Sequence, residues 1–268
     1  MIQDWIYLNQ MKISVIGAGR VAYHLIKALH AEHQIVQVYS RTIEKSQKLA
    51  SKFNVEAVCD ISELSSDIDV CLIAVSDQSI AQVIEQLHSA LADVLIAHTS
   101  GSTHLNVLSN VHDKSGVFYP LQTFSVEREV DWATTPIFVE AHHCGDEQLL
   151  VQLANTLSKT IYQYNSDQRL SLHLSAVFAC NFSNYCFDMA KQIVDAQQVD
   201  FSLLYPLIEA TAKKVLLADP KEMQTGPAMR RDKNIIAMHQ NMLEQHSRED
   251  LQQVYALLSQ QIMQRHQS

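Results

Sequence analysis

Gly17, Gly19 and Ala22 occupy the first, third and sixth places of the hexapeptide GAGRVA, directly after the apolar run Lys12 to Ile16. A glycine at the first place permits a sharp strand-to-helix turn. One at the second lets a charged group approach the backbone, and a small third residue lets the helix pack against the strand. The segment Ala18, Gly19, Arg20, Val21 then opens a helix whose free N–H groups suit a pyrophosphate. About twenty residues on, where a carboxylate would hold a ribose 2′-hydroxyl, stand Ser40, Arg41 and Thr42. A guanidinium and two hydroxyls bind a 2′-phosphate through charge-assisted hydrogen bonds, so the pattern points to NADP rather than NAD. The bland alternative makes Arg41 a surface arginine and Thr42 the N-cap of the next helix.

Ligands of doubly wound sheets bind beyond the carboxyl ends of the strands, so the residues after each apolar run are the next candidates. Val75, Ser76 and Asp77 close one run, and Asp77 either touches a ribose or caps a helix starting at Gln78. His98-Thr99-Ser100-Gly101-Ser102 closes another, a loop small enough to pass under a nicotinamide, with Thr99 toward the cofactor and Ser100 and Ser102 toward a substrate. It is no nucleophile elbow, because TSGST lacks the G-x-S-x-G order. Gln122 and Thr123, in the loop after Tyr119, offer further donors. His142, His143 and Cys144 have the chemistry of metal ligands. Adjacent residues on an extended segment point to opposite faces, however, so a surface turn before Gly145 is expected there and no metal site anywhere.

At about 100° per residue, His173, Asn181, Asn184 and Asp188 fall within roughly 80° of one another on a helix running from Ser166 to Asp195. Buried polar groups must find partners, so this line faces a crevice or a helical partner. Further on, QTGPAMRRD, residues 224 to 232, breaks the helical texture; Thr225 and Arg230 flank the break and suit a carboxylate or phosphate. Arg231 has the option of pairing with Asp232.

The elements that must position these residues follow from the hydrophobic pattern. Strand-like runs at Lys12 to Ile16, Ile35 to Tyr39, Ala57 to Val58, Val70 to Val75, Val94 to Ala97, Gly116 to Tyr119, Ile137 to Val139 and Thr160 to Tyr164 alternate with amphipathic stretches at Arg20 to Glu32, Thr42 to Phe53 and Ile80 to Leu91. Such a chain forms an α/β fold, a doubly wound Rossmann-type parallel sheet, over residues 11–165. Beyond Asn165 only helical spacing occurs, so residues 166–268 form an all-helical domain for substrate and dimerisation, with residues 1–10 a leader too acidic and short for a signal peptide. Twenty basic against twenty-nine acidic residues, net −9, argue against nucleic acid as a partner. No stretch is apolar enough for a membrane span. The five cysteines form no C-x-x-C pair, which suits reduced thiols and a cytoplasmic location.

Six motifs in order, VIGAGRVA, VYSRT, HTSGS, GVFYPLQTFS, SLHLSAVFACNFSNY and QTGPAMRRD, resemble the Rossmann-like NADP oxidoreductase family whose C-terminal helical half is a domain of unknown function. That family is similar to pyrroline-5-carboxylate reductases and deazaflavin-dependent NADP reductases, and more distantly to β-hydroxyacid dehydrogenases. The resemblance implies a nucleotide-binding domain, a helical domain through which a homodimer forms, and a substrate site between them. The family commonly carries glycine where this chain has Arg231. The β-hydroxyacid dehydrogenases place a proton-donating lysine on the long helix after the sheet; His173 holds the comparable place here. The expectation is an oxidoreductase moving hydride between NADPH and a small carbonyl or imine compound. His173 is its general acid, Asn181 and Ser100 orient the reacting atom, and Arg230 holds a carboxylate. The rival expectation is a non-catalytic NADP-sensing protein whose helical half is an interaction surface.

Overall fold

The computed structural model describes residues 10–125 and 128–267; the expected leader, apart from Gln10, lies outside them. Eight strands form one sheet: β1 (Lys12–Ile16), β2 (Gln34–Tyr39), β3 (Glu56–Val58), β4 (Val70–Ile73), β5 (Leu95–His98), β6 (Ser115–Pro120), β7 (Ile137–Ala141) and β8 (Ile161–Gln163). Their order is β3-β2-β1-β4-β5-β6-β7-β8, with the chain reversing direction across the sheet between β1 and β4. Every residue of β4, β5 and β6 is buried, as a parallel sheet covered on both faces requires. The alternation is clean: Val15, Leu72 and Phe118 pack on one face with Leu25 and Leu29, while Ile16, Ile73 and Ile96 pack on the other with Ile80 and Ile84.

The sheet is not wholly parallel. β7 runs antiparallel to β6, with Gly116 opposite Ala141, and β8 is parallel to β7. A parallel return needs a crossover element. Between Pro120 and Ile137 the described residues hold only a one-turn 3-10 helix, Trp132–Thr134, so the chain doubles back.

The helices among these strands are α1 (Arg20–Leu29), α2 (Ile43–Ala50), α3 (Asp77–Leu87), the single turn α4 (Asn106–Ser109), and α5 (Cys144–Asn155). α5 is an element the sequence reading passed over. Its apolar positions Leu150, Leu153 and Ala154 are fully buried, but its opening His-Cys-Gly has the composition of a turn. α6 (Ser166–Ala176) follows β8, and its start carries a capping box: the Asn165 side chain accepts the Gln168 N–H while Gln168 reaches back to the Asn165 N–H.

By its contacts the chain divides into two compact units, Met1–Phe178 and Ala179–Ser268. The change of texture at Asn165 and this division do not coincide, because α6 is tied into the first unit. The single helix expected from Ser166 to Asp195 is interrupted by a π-helical stretch, Val177–Phe182. Its wider i→i+5 turns break the count of 100° per residue on which the continuous polar line rested. The second unit contains α7 (Ser183–Asp195), a 3-10 turn at Phe201–Leu204, α8 (Tyr205–Lys214), α9 (Pro227–Arg230), α10 (Lys233–Gln245) and α11 (Glu249–Arg265). Among its described residues the buried hydrophobics are Met189, Ala228 and Leu251, whereas Leu203, Leu207, Leu216 and Leu217 are more than 60% exposed. No helix among the described residues is long and apolar enough to cross a membrane.

Candidate functional site

The turn after β1 has the backbone the glycines were expected to serve. Gly17 has φ +120°, and a Cβ there would lie 2.3 Å from the Ala74 carbonyl oxygen, so no other residue fits without moving the backbone just after β4. Its N–H donates to Tyr39 at 2.8 Å, fixing the turn to β2. Gly19 is the N-cap of α1, and a Cβ added to it would meet nothing within 4 Å. Side chains do not cap this helix, which leaves its first N–H groups open to an anion. Ala22 is fully buried at the helix–sheet contact.

A cleft of about 1100 Å³ opens at this turn, lined by Gly17, Ala18, Gly19, Arg20, Val21, Ser40, Arg41, Val75 and Ser76. Sequence reasoning missed three further lining residues, Lys45, Lys48 and Lys52, which lie on or just past α2. Their spacing of three and four residues puts them on one helix face beside Arg41, a signal legible in the sequence. The residues present fit a dinucleotide: an anion-binding helix start in the middle and a cationic far end. Thr42, Asp77 and Thr99 do not line the cleft. Thr42 is the N-cap residue of α2 without a side-chain capping bond. The Thr99 hydroxyl donates to the Ile73 carbonyl of β4 at 3.2 Å. Asp77 does not cap α3, whose N-cap is Ser76; its carboxylate accepts the Ser102 hydroxyl.

Within the first unit, His98 to Ser102, Tyr119 and His173 converge. The Ser100 Oγ accepts the N–H groups of Ser102 and Thr103 at 3.1 and 3.0 Å, so both its lone pairs are engaged and its own proton is the one it can give, with the Ser102 Oγ as acceptor at 3.5 Å. The Tyr119 hydroxyl lies 3.1 Å from His173 Nδ1. A Cβ on Gly101 would lie 2.5 Å from that nitrogen and 2.6 Å from the Tyr119 ring, so glycine here is what lets the loop, the phenol and the imidazole share one corner. Burial, and then the nearby charge of Asp77, pushes the Tyr119 phenol up to about 12, so it stays protonated across the physiological range. Gln122 is exposed; its amide lies 3.4 Å from the Thr135 hydroxyl and its oxygen accepts the Thr123 N–H.

One turn before His173 on α6 is Arg169, with none of its surface exposed. Its guanidinium pairs with Glu140 of β7 and donates to the Thr103 carbonyl and to Ser166 Oγ. Glu140 also accepts the Ser166 N–H and hydroxyl at 3.0 and 2.8 Å. This pair of a buried arginine and a largely buried glutamate ties α6, and so His173, both to the sheet and to the loop that follows Ser102. Neither residue was singled out from the sequence.

His98 is equally buried, its Nδ1 accepting the Ser100 N–H at 3.2 Å and its Nε2 without a partner among the described residues. Burial, then the charges of Arg169 and His104, lowers its pKa to about 3. Unfolded, it would titrate near 6.5. Between those values the unfolded chain holds a proton that the folded one does not, so stability present above about pH 6.5 is lost as pH falls toward 3. Urea midpoints should therefore drop between pH 7 and pH 5. The drop should be shallower in His98→Asn, which keeps an acceptor for Ser100 without the ionisable ring; parallel curves would remove His98 as the cause.

The remaining candidates belong to the second unit. Asn181 is an exposed residue of the π-helical stretch, and Thr225 and Arg230 are exposed on either side of the turn at Gly226, which has φ +103°. Arg231 ends α9 at φ +57°, with its N–H bonded to Ala228 and that of Asp232 to Pro227. That is a Schellman cap with arginine in the left-handed position glycine normally fills. Among the described residues no ion pair joins Arg231 to Asp232, whose carboxylate instead accepts the Ile235 N–H. Arg231→Gly should stabilise the chain by about 1 kcal/mol by relieving the left-handed strain. An unchanged melting temperature would count against that account.

Comparisons with known proteins agree with this architecture. Residues 11–98 match the oxidoreductase family with an NAD-binding Rossmann fold, and residues 135–262 match the domain of unknown function DUF2520. A crystal structure from Bacteroides fragilis, described as a candidate NADP oxidoreductase, shares 39% identity over 96% of this chain and 99% of its own, with TM-score 0.88. A Thermotoga maritima protein matches at 19% identity over 96% of this chain and all of its own, TM-score 0.78. An imine reductase of Myxococcus stipitatus in complex with NADP+ matches at 15% over 94% and 93%, TM-score 0.72, a likeness of fold. No curated protein sequence matches the chain.

Proposed function

The chain belongs to the family that joins a Rossmann NAD(P)-binding domain to the DUF2520 helical domain, and on that premise we propose an NADP-dependent oxidoreductase that moves hydride between NADPH and a small carbonyl or imine compound. The observation that carries the reading is the Tyr119–His173 pair, packed against the His98 to Ser102 loop at the carboxyl end of β5. A sensing protein needs the nucleotide cleft but no proton donor held in that place.

Bound NADPH would supply the hydride. His173 gives the proton that balances it: the imidazolium Nε2–H is transferred to the carbonyl oxygen or imine nitrogen, leaving a neutral ring. The Tyr119 hydroxyl accepts from Nδ1–H or donates to bare Nδ1, and so holds one ring orientation through the transfer. Ser100 donates its remaining proton to the reacting heteroatom. In the cleft, Arg41, Lys45, Lys48 and Lys52 supply the positive charge that favours a 2′-phosphate over a bare hydroxyl. The exposed leucines of the second unit support association into a homodimer, and five unpaired cysteines suit a cytoplasmic setting.

The test is a thermal-shift comparison of NADPH with NADH, followed by a screen of 2-oxo acids, other carbonyls and cyclic imines for oxidation of NADPH. NADPH should stabilise at concentrations roughly tenfold below those NADH requires, the ratio that about 1.4 kcal/mol of 2′-phosphate binding gives. Equal stabilisation would remove the cofactor preference, none by either would remove the function, and stabilisation without turnover would favour the sensing protein.

A further inference from the structure

Asp113 stands just before β6, and His142 and His143 stand between β7 and α5. Because β6 and β7 are antiparallel, with Gly116 opposite Ala141, both turns lie at the end of the sheet where β6 begins. That is the edge opposite the carboxyl ends of β1 and β4, where the nucleotide cleft opens. Each of the three residues presents one ligand atom there, and the three atoms lie within 4.8 Å of one another. His143 Nε2 is 2.9 Å from Asp113 Oδ1, and the two imidazole rings meet edge to face with centroids 4.6 Å apart.

Neighbouring residues on a regular strand point apart, and that was the sequence argument against a metal here. β7 ends at Ala141, however, and His143 is already the N-cap of α5, so the chain leaves the pleat between the two rings. Both then turn toward Asp113. Competing partners are occupied elsewhere: Lys114 donates to the Asp93 carbonyl, and His112 is buried with its Nε2 on the Val94 carbonyl. The three side chains themselves are exposed, so they can close the gap. Ligands about 2.0 Å from a tetrahedral ion lie roughly 3.3 Å apart, a contraction that side-chain rotation supplies.

We propose that Asp113, His142 and His143 bind a divalent transition-metal ion, zinc being the occupant that two imidazoles, one carboxylate and a solvent water suit best. Magnesium and calcium prefer all-oxygen shells, whereas two imidazole nitrogens select the borderline first-row ions. The ion staples the turn before β6 to the turn after β7, closing the antiparallel pair at its open end. The site is independent of the proposed reaction.

Zinc chloride titrated into the untagged, metal-free full-length chain against a chromogenic chelator should show one saturable equivalent. Asp113→Asn, His142→Ala and His143→Ala should each weaken it by roughly tenfold or more, since each removes one of three protein ligands. Zinc should raise the melting temperature of the parent chain and not that of the triple variant, because it binds only the folded form. NADPH affinity should be the same in parent and variants. No saturable equivalent, or one that survives all three substitutions, overturns the assignment.

Discussion

His173→Ala lowers turnover at least tenfold and leaves NADPH affinity within about twofold, because a positioned proton donor contributes on the order of 10² to 10⁴ in rate while none of the cleft-lining residues is disturbed. Tyr119 stays protonated throughout, since its phenol is held up at about 12. Tyr119→Phe keeps the ring in place and removes only the hydroxyl on Nδ1, so it should cost less than the loss of His173. Gly101→Ala forces a methyl into the space shared by His173 and Tyr119 and should resemble His173→Ala in rate while the chain still binds NADPH. The measurement is steady-state NADPH oxidation with the compound the substrate screen identifies. Turnover unchanged in His173→Ala removes His173 from the mechanism.

What the sequence showed and what it hid have physical reasons. Gly17, Gly19 and Ala22 were legible because their requirement is local: one turn, one helix start, one close contact. The strands were legible because a doubly covered sheet needs near-continuous apolar runs. The antiparallel β7 was not, because strand direction depends on what lies between β6 and β7 rather than on the strands' own residues. The polar line from His173 to Asp188 assumed a uniform helix, and hydrophobic periodicity carries no mark of a π turn. Lys45, Lys48 and Lys52 could have been found from their spacing alone. Arg169 and Glu140 could not: they lie 29 residues apart in the sequence, on a strand and a helix that only the folded sheet brings together.

That pair carries the other large expected effect. Glu140→Ala should destabilise the chain by about 3 to 5 kcal/mol, the cost of leaving one member of a buried ion pair without the other. Arg169 has no exposed surface through which water could take over the lost partner, and the Ser166 N–H and hydroxyl lose their acceptor as well. Urea denaturation of parent and variant reads the loss as a lower midpoint at constant slope. If the pair serves stability alone, replacing both residues by apolar ones of similar volume, Arg169→Met with Glu140→Leu, should restore most of the midpoint, as isosteric replacement of buried pairs commonly does. The geometry requires more than that. Arg169 also holds the Thr103 carbonyl, and with it the loop against which Gly101, Tyr119 and His173 are packed. The double variant should therefore recover its fold while turnover stays down, with NADPH affinity intact. Recovery of both together would reduce the pair to a structural brace and leave the placement of His173 to the capping box and the sheet.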